Sequence, residues 1–237
     1  MGNFIHLRVH SDYSIYDSLL KAKEIPQIAS EKKMPAVALT DASNLFGLIR
    51  FYRECLSLGI QPLIGADLNV MVDHGLVKST FLATSNLGYR QLIRLISDSW
   101  TIYREKVIPV VPFDRLKEST TDLISLSGGI WGEIGYLVRD DGSKSYQKAL
   151  DSWISVFEDR FYLEISRLGF SGEYIYIDKA VEMSEKNQIP LLATNYVCFC
   201  EESDFEAHET RVAIHDGVVL SDPNRKKNYT NQQFFKS

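Results

Sequence analysis

The stretch HLRVHSDYSIYDS, from His6 to Ser18, sets two histidines four residues apart with Asp12 and Asp17 close behind. Neutral imidazoles and carboxylates are the groups that hold divalent ions, and ions held this way acidify a bound water and clamp phosphate oxygens. His10, with Asp41 after the run AVAL and Asp67 inside PLIGADLNV, therefore forms a candidate hydrolytic cluster, to which NYVCFC (195–200) could add a member. Arg8 stands between the two histidines and, by the two-residue period of a strand, shares their face. A guanidinium about 4 Å from a divalent ion, at an effective dielectric of about 20, is repelled by roughly 8 kcal/mol. The segment carries ligands for a cation together with a cation that would expel it.

Each candidate also has a plain structural reading. Aspartates at strand ends cap the following helix, which suits Asp41 and Asp67. His6, mid-run among apolar neighbours, suits a hydrogen-bonded core position. His208 and His215 flank ETRVAI and suit packing or capping, and Cys198 and Cys200 form a C-x-C without a second pair. LSGGIWGEIG has the spacing of neither a phosphate loop nor a dinucleotide loop, so Gly128 and Gly129 are expected to serve a tight strand-to-helix turn.

The elements that must position these residues alternate. Strand-like runs occur at FIHLRV (4–9), AVALT (36–40), PLIGADLNV (62–70), STFLA (79–83), LISLS (123–127), FYLEI (161–165) and PLLAT (190–194). Between them, NLFGLIRFYRECLSLG, NLGYRQLIRLISDSW, SYQKALDSWISVFEDR and YIYIDKAVEMSEKN keep helical spacing, the first closing on Gly59. That order predicts an α/β domain of parallel strands with helical crossovers: a seven-stranded βα barrel, with an open doubly wound sheet as the alternative. Either architecture places His10, Asp41, Asp67 and the 195–200 segment at carboxyl ends of strands, where such folds do their work. The polar stretch 101–122 reads as an excursion, and ESDFEAHETRVAIHDG as a helix with Ser203 as N-cap and Gly217 after it. Residues 1–217 are thus expected to form the barrel. Residues 218–237 read as a tail interrupted at Ser237, leading into further polypeptide.

Composition narrows the classes. The 237 residues are 45% hydrophobic, enough for one domain with a core, and the formal net charge of −5 with mixed signs leaves no basic stripe for nucleic acid. Three cysteines fit a reducing compartment and hence the cytoplasm. The charged start excludes a signal peptide, and no apolar run reaches the roughly 18 residues that a membrane span needs.

Seven blocks in order, FIHLRVHSDYS, VALTDASNLFGLIRFY, PLIGADLNV, LSGGIWGEIG, LLATNYV, SDFEAHETRVAIHDG and LSDPNRKKNYT, closely resemble the N-terminal PHP (polymerase and histidinol phosphatase) domains of bacterial replicative DNA polymerase III alpha subunits. The resemblance runs from about Phe4 to the last residue and implies a distorted seven-stranded βα barrel. It also implies that most metal ligands of the family are gone. Arg8 stands for the first histidine of H-x-H, Ala42 for the histidine after Asp41, Asp67 for a glutamate and Lys78 for a histidine. Gly129 stands for a cysteine, Leu168 for a histidine, and Tyr196 and Cys198 for an aspartate and a histidine. Of the family's set His10 and Asp17 remain, so no metal and no catalytic residue is expected. Arg8 should occupy the vacated place and pair with Asp17, Asp41 or Asp67.

The function implied is that of a non-catalytic domain, which stabilises the polymerase and docks the proofreading exonuclease subunit of the holoenzyme during chromosomal replication. An active metal-dependent phosphoesterase or exonuclease is the alternative. No cofactor is expected for this chain. Polymerase chemistry, its magnesium and its DNA contacts would belong to polypeptide beyond residue 237.

Overall fold

The computed structural model describes residues 4–105, 108–118, 120–140 and 145–237. Along the chain the elements are α1 (Ile25–Glu31), β1 (Ala36–Leu39), α2 (Leu48–Leu58), β2 (Gln61–Val72), β3 (Gly75–Ala83), α3 (Asn86–Thr101), β4 (Val111–Pro112), α4 (Phe113–Leu116), β5 (Leu123–Leu126), α5 (Glu133–Asp140), α6 (Ser145–Phe157), β6 (Phe161–Ile165), α7 (Glu173–Asn187), β7 (Leu191–Ala193) and α8 (Phe205–Asp216). The fold is mixed α/β, with seven strands among the described residues. Two compact units divide it: residues 1–63, 167–170 and 195–237 form the first, and residues 64–166 and 171–194 the second.

In the second unit the strands do not follow the expected parallel rule. β2 pairs antiparallel with β3, and β3 antiparallel with β5, before β5, β6 and β7 continue in parallel. The cause is local: Val72 faces Gly75 across a two-residue turn at Asp73-His74, and a two-residue connection can only return the chain antiparallel. The expected excursion contributes a strand as well, since β4 lies parallel to β2 with Val70 opposite Val111. Behind the sheet Trp153, Phe157 and Phe161 pack around one another, with ring centroids 5.9 and 5.8 Å from Trp153. Gly128 and Gly129 make the predicted turn at φ +80° and +57°. A side chain at Gly128 would put Cβ 2.0 Å from the carbonyl oxygen of Lys78, so only glycine fits there.

In the first unit the predicted strand at 4–9 is absent as a ladder. Its residues run beside β1 and beside segment 195–199, with Ala38 N–H donating to His6 (2.9 Å), Thr40 N–H to Val9 (2.9 Å) and Val197 N–H to Arg8 (3.1 Å). A single parallel bridge, Val9 to Val197, is what remains of pairing. The Thr40 hydroxyl takes the Val9 N–H at 3.0 Å, the donor a regular ladder would have used. The start of α8 also differs from expectation. A capping box between Glu201 and Asp204 closes a 3-10 turn, and the helix begins at Phe205, so Ser203 is not the cap. Gly59 and Gly217 end their helices in the left-handed region as predicted.

Residues 218–237 are held within this unit. Cys198 N–H donates to Gln233 (2.9 Å), Phe235 N–H to Phe199 (3.0 Å) and the Asn195 amide to Phe234 (2.7 Å). Gln233 and Phe235 are fully buried. The backbone of the last turn is thus satisfied by the segment after β7, which leaves it ordered without an element of its own.

Candidate functional site

Within the first unit, Arg8, His10, Asp17 and Asp41 are all buried. Extended backbone at 8–10 sends Arg8 and His10 to one face, as their alternation requires. A 3-10 turn over Asp12–Ser14, capped by the Ser11 hydroxyl, then returns the chain so that Asp17 reaches His10. The Asp17 carboxylate collects three donors, one nearby and two from distant segments: His10 Nδ1, the Tyr196 hydroxyl and the Tyr229 hydroxyl. His208 Nε2 donates to the Asp17 carbonyl at 3.1 Å. Burial beside this carboxylate pushes the Tyr229 phenol well above its usual range, so it stays protonated and keeps donating.

Arg8 is among the largest fully buried side chains, and its guanidinium lies 4.5 Å from the centre of the Tyr196 ring. Tyr196 therefore serves both neighbours, with its face toward a cation and its hydroxyl toward Asp17. Asp41 takes a different set: Ser11 N–H at 2.6 Å, Ser11 Oγ at 2.7 Å and Ser14 Oγ at 2.7 Å. Burial raises the Asp41 carboxyl above its ordinary value, against the pull of His10 and these donors. The adjacent Ala42 sends its N–H to Ser14 Oγ. Cys198 and Leu168, two of the substituted ligand positions, are fully buried: Cys198 O accepts from Ser18 Oγ (2.8 Å) and its Sγ from Gln233 Nε2 (3.9 Å), and Leu168 O accepts from Thr230 Oγ1.

Asp67 and Lys78 belong to the second unit. Asp67 is buried and accepts from Thr80 Oγ1, its partner across the hairpin, while Lys78 sits opposite Asn69. Buried Glu164 in the same unit accepts from Thr194 Oγ1. The remaining histidines of interest lie outside this cluster. His6 donates through Nε2 to the Lys236 carbonyl at 2.9 Å, and burial lowers its pKa from 6.5 to about 4. His215 is surface-exposed and stacks on Tyr16, with rings 3.8 Å apart.

The residues present do not suit a divalent ion. A buried guanidinium and phenols stand around His10 and Asp17, whose polar atoms bond to each other, and a protonated phenol is a poor ligand. Among the described residues no group of three or more His, Cys, Asp or Glu side chains converges closely enough to hold an ion. What the arrangement can do is cross-link: one carboxylate ties residue 10 to residues 196 and 229. The sequence reading named His10, Asp17 and Asp41 but missed Tyr229, Ser11 and Ser14 as their partners. Nothing local marks any of the three: Ser11 and Ser14 lie 30 and 27 residues from Asp41, and Tyr229 lies 212 from Asp17.

The PHP domain family profile matches residues 6–168. The chain belongs to the PHP domain family. It is 42% identical, over 99% of its length, to DNA polymerase III subunit alpha of Escherichia coli K12, and 40% identical to that of Vibrio cholerae. It spans 20% of the length of each of these relatives. Among solved structures, a candidate metal-dependent phosphoesterase from Bifidobacterium adolescentis superimposes with a TM-score of 0.52 at 11% identity, covering 81% of this chain and 86% of the other. A two-domain Bacteroides vulgatus protein with a PHP-like phosphoesterase region gives the same TM-score at 12% identity, over 82% and 51% of the two chains. These likenesses carry the fold of the PHP domain and no more.

Proposed function

We propose that this PHP domain serves DNA replication as the non-catalytic N-terminal part of a DNA polymerase III alpha subunit, stabilising the polymerase and docking its proofreading exonuclease subunit. Identity of about 40% along nearly the whole chain supports the replication role. The observation that carries the non-catalytic reading is Arg8, a buried cation against Tyr196 at a place where the family resemblance sets a metal ligand. His10 and Asp17 then act as a structural pair, and Asp41 and Asp67 as buried acids held by hydroxyl donors. In this reading Arg8 supplies the positive charge that balances the buried acids of the first unit. Magnesium, DNA and the other holoenzyme subunits would be met by the polymerase region of the longer polypeptide, in the cytoplasm. No helix among the described residues is long and apolar enough to cross a membrane.

Two measurements test this. Elemental analysis after dialysis is expected to find zinc, manganese and iron well below one equivalent. Two or three tightly held equivalents, with turnover of a phosphoester in manganese, would establish the alternative, an active phosphoesterase or exonuclease. Titration calorimetry against the exonuclease subunit is expected to show binding. Binding by the longer polypeptide alone would place the docking surface outside this domain.

A further inference from the structure

α2 is apolar on two sides. Its inner row, Leu48, Phe51 and Cys55, is buried as an amphipathic helix requires. The opposite row repeats the spacing outward: Ile49 is 59% exposed and Leu56 57%, Tyr52 stands beside them, and Phe46, just before the helix, is 76% exposed. Arg53 lies between Ile49 and Leu56 at four and three residues' distance, and Arg50 borders the row on its other side; both are exposed. Among the described residues neither arginine makes an ion pair. The carboxylate on the same helix, Glu54, is engaged by Gln27 Nε2 at 2.9 Å. A solvated helix face ordinarily interleaves both signs and gains from i,i+4 pairs. Here an apolar ridge carries two cations, and the one carboxylate of the helix, Glu54 at four residues from Arg50, is turned to Gln27, in a protein whose net charge is −5.

We infer that the outer face of α2 is a docking surface for an amphipathic helix of another polypeptide, one that interleaves carboxylates with apolar residues. The occupant follows from the charge. A second copy of this chain, packing the same face against itself, would set Arg53 near Arg53, with Glu54 of each copy already engaged by Gln27. Single-stranded nucleic acid is held by basic grooves that track its backbone, and two arginines on a convex helix flanked by aliphatic side chains make no such groove. A convex ridge at three- and four-residue spacing fits the grooves of another helix, and an acid opposite Arg53 supplies both register and attraction. This names a surface and a partner chemistry beyond the docking role proposed above, and holds whichever protein supplies the helix.

The test uses a synthetic amphipathic peptide with leucines along one stripe and glutamates flanking it, beside a twin with lysines for the glutamates. Fluorescence anisotropy is expected to show the acidic peptide binding this protein at least roughly tenfold more tightly than the lysine twin, with the difference shrinking in high salt. Arg50→Glu with Arg53→Glu should reverse the preference. Ile49→Ser with Leu56→Ser should weaken both peptides while the melting temperature holds, since those side chains are exposed. Equal affinity for the twins, no binding of either, or an acidic preference that survives the charge reversal would overturn the inference. So would oligothymidine binding more tightly than the acidic peptide, or self-association that Leu56→Ser abolishes.

Discussion

Both units bury acids, but the reach of their donors differs. In the second unit the donors are neutral and within 30 residues: Thr80 is 13 residues from Asp67, Ser166 seven from Glu173, Trp153 twenty from Glu133 and Thr194 thirty from Glu164. In the first unit Asp17 draws on Tyr196 and Tyr229, 179 and 212 residues away, with Arg8 packed on the Tyr196 ring. Local hydroxyls satisfy a carboxylate as part of a strand or turn that would form anyway. Long-range phenols satisfy it only once the whole unit has closed, so polar groups there fix the tertiary arrangement as well as being fixed by it.

The most damaging way to probe that difference is Arg8→Ala. Removing this buried side chain leaves a cavity and strips Tyr196 of its cation, and loss of a buried charge of this kind costs about 3–5 kcal/mol in denaturant titration. An unmoved midpoint would erase the contrast between the units. Arg8→His, assayed in manganese, should show no phosphoester turnover, because Ala42, Leu168, Tyr196 and Cys198 still supply no ligands of the family's kind.

Acid should strike the first unit next. His6 titrates near 6.5 when unfolded and near 4 when folded, burial being the main cause, and burial lowers His208 as well. As the pH falls between those values the unfolded chain takes up a proton that the folded chain refuses. Stability is therefore full above about pH 6.5 and declines toward pH 4, by about 3 kcal/mol for His6 alone. His6→Gln keeps a donor for the Lys236 carbonyl, and its stability profile should be flatter over that window. A profile as steep as that of the parent protein would assign the acid sensitivity to other groups.

Smaller effects separate the two kinds of donor. Tyr229→Phe deletes one hydrogen bond to a buried carboxylate and should cost about 1–3 kcal/mol, with faster amide exchange at Cys198 and Phe235, whose N–H groups bond in the same strap. Thr80→Val, the counterpart in the second unit, should cost about 1 kcal/mol and leave those two amides as protected as before. Matching exchange changes in both variants would show that the units respond as one.

The same distinction decides what the sequence could reveal. Local signals were legible: six of the seven predicted strands form, Gly59 and Gly217 end their helices, and the two glycines after β5 make the turn assigned to them. The antiparallel start of the sheet was legible too, in Asp73-His74-Gly75, but the alternation of strands and helices elsewhere masked it. The strand at 4–9 failed because Thr40, remote in sequence, takes one of its donors. At the candidate site the residue types of His10 and Asp41, with Asp17 from the family resemblance, marked the remnant of a ligand set, whereas the role of Tyr229 depends on a return of the chain that no window of sequence contains. Arg8 was informative because its charge contradicts the chemistry its neighbours suggest.

The hydrogen bond from His6 to the carbonyl of Lys236 joins residues 230 apart. On the ribosome, at roughly 5–20 residues per second, about 12–46 s separate the synthesis of those two residues. The second unit, all of whose residues lie between them, can collapse while translation continues. The first unit cannot: its opening segment must wait for Val197, which bridges Val9, and for Phe235, whose ring packs on His6. The segment around His6 is thus expected to complete its packing after the second unit, although it precedes that unit in the chain.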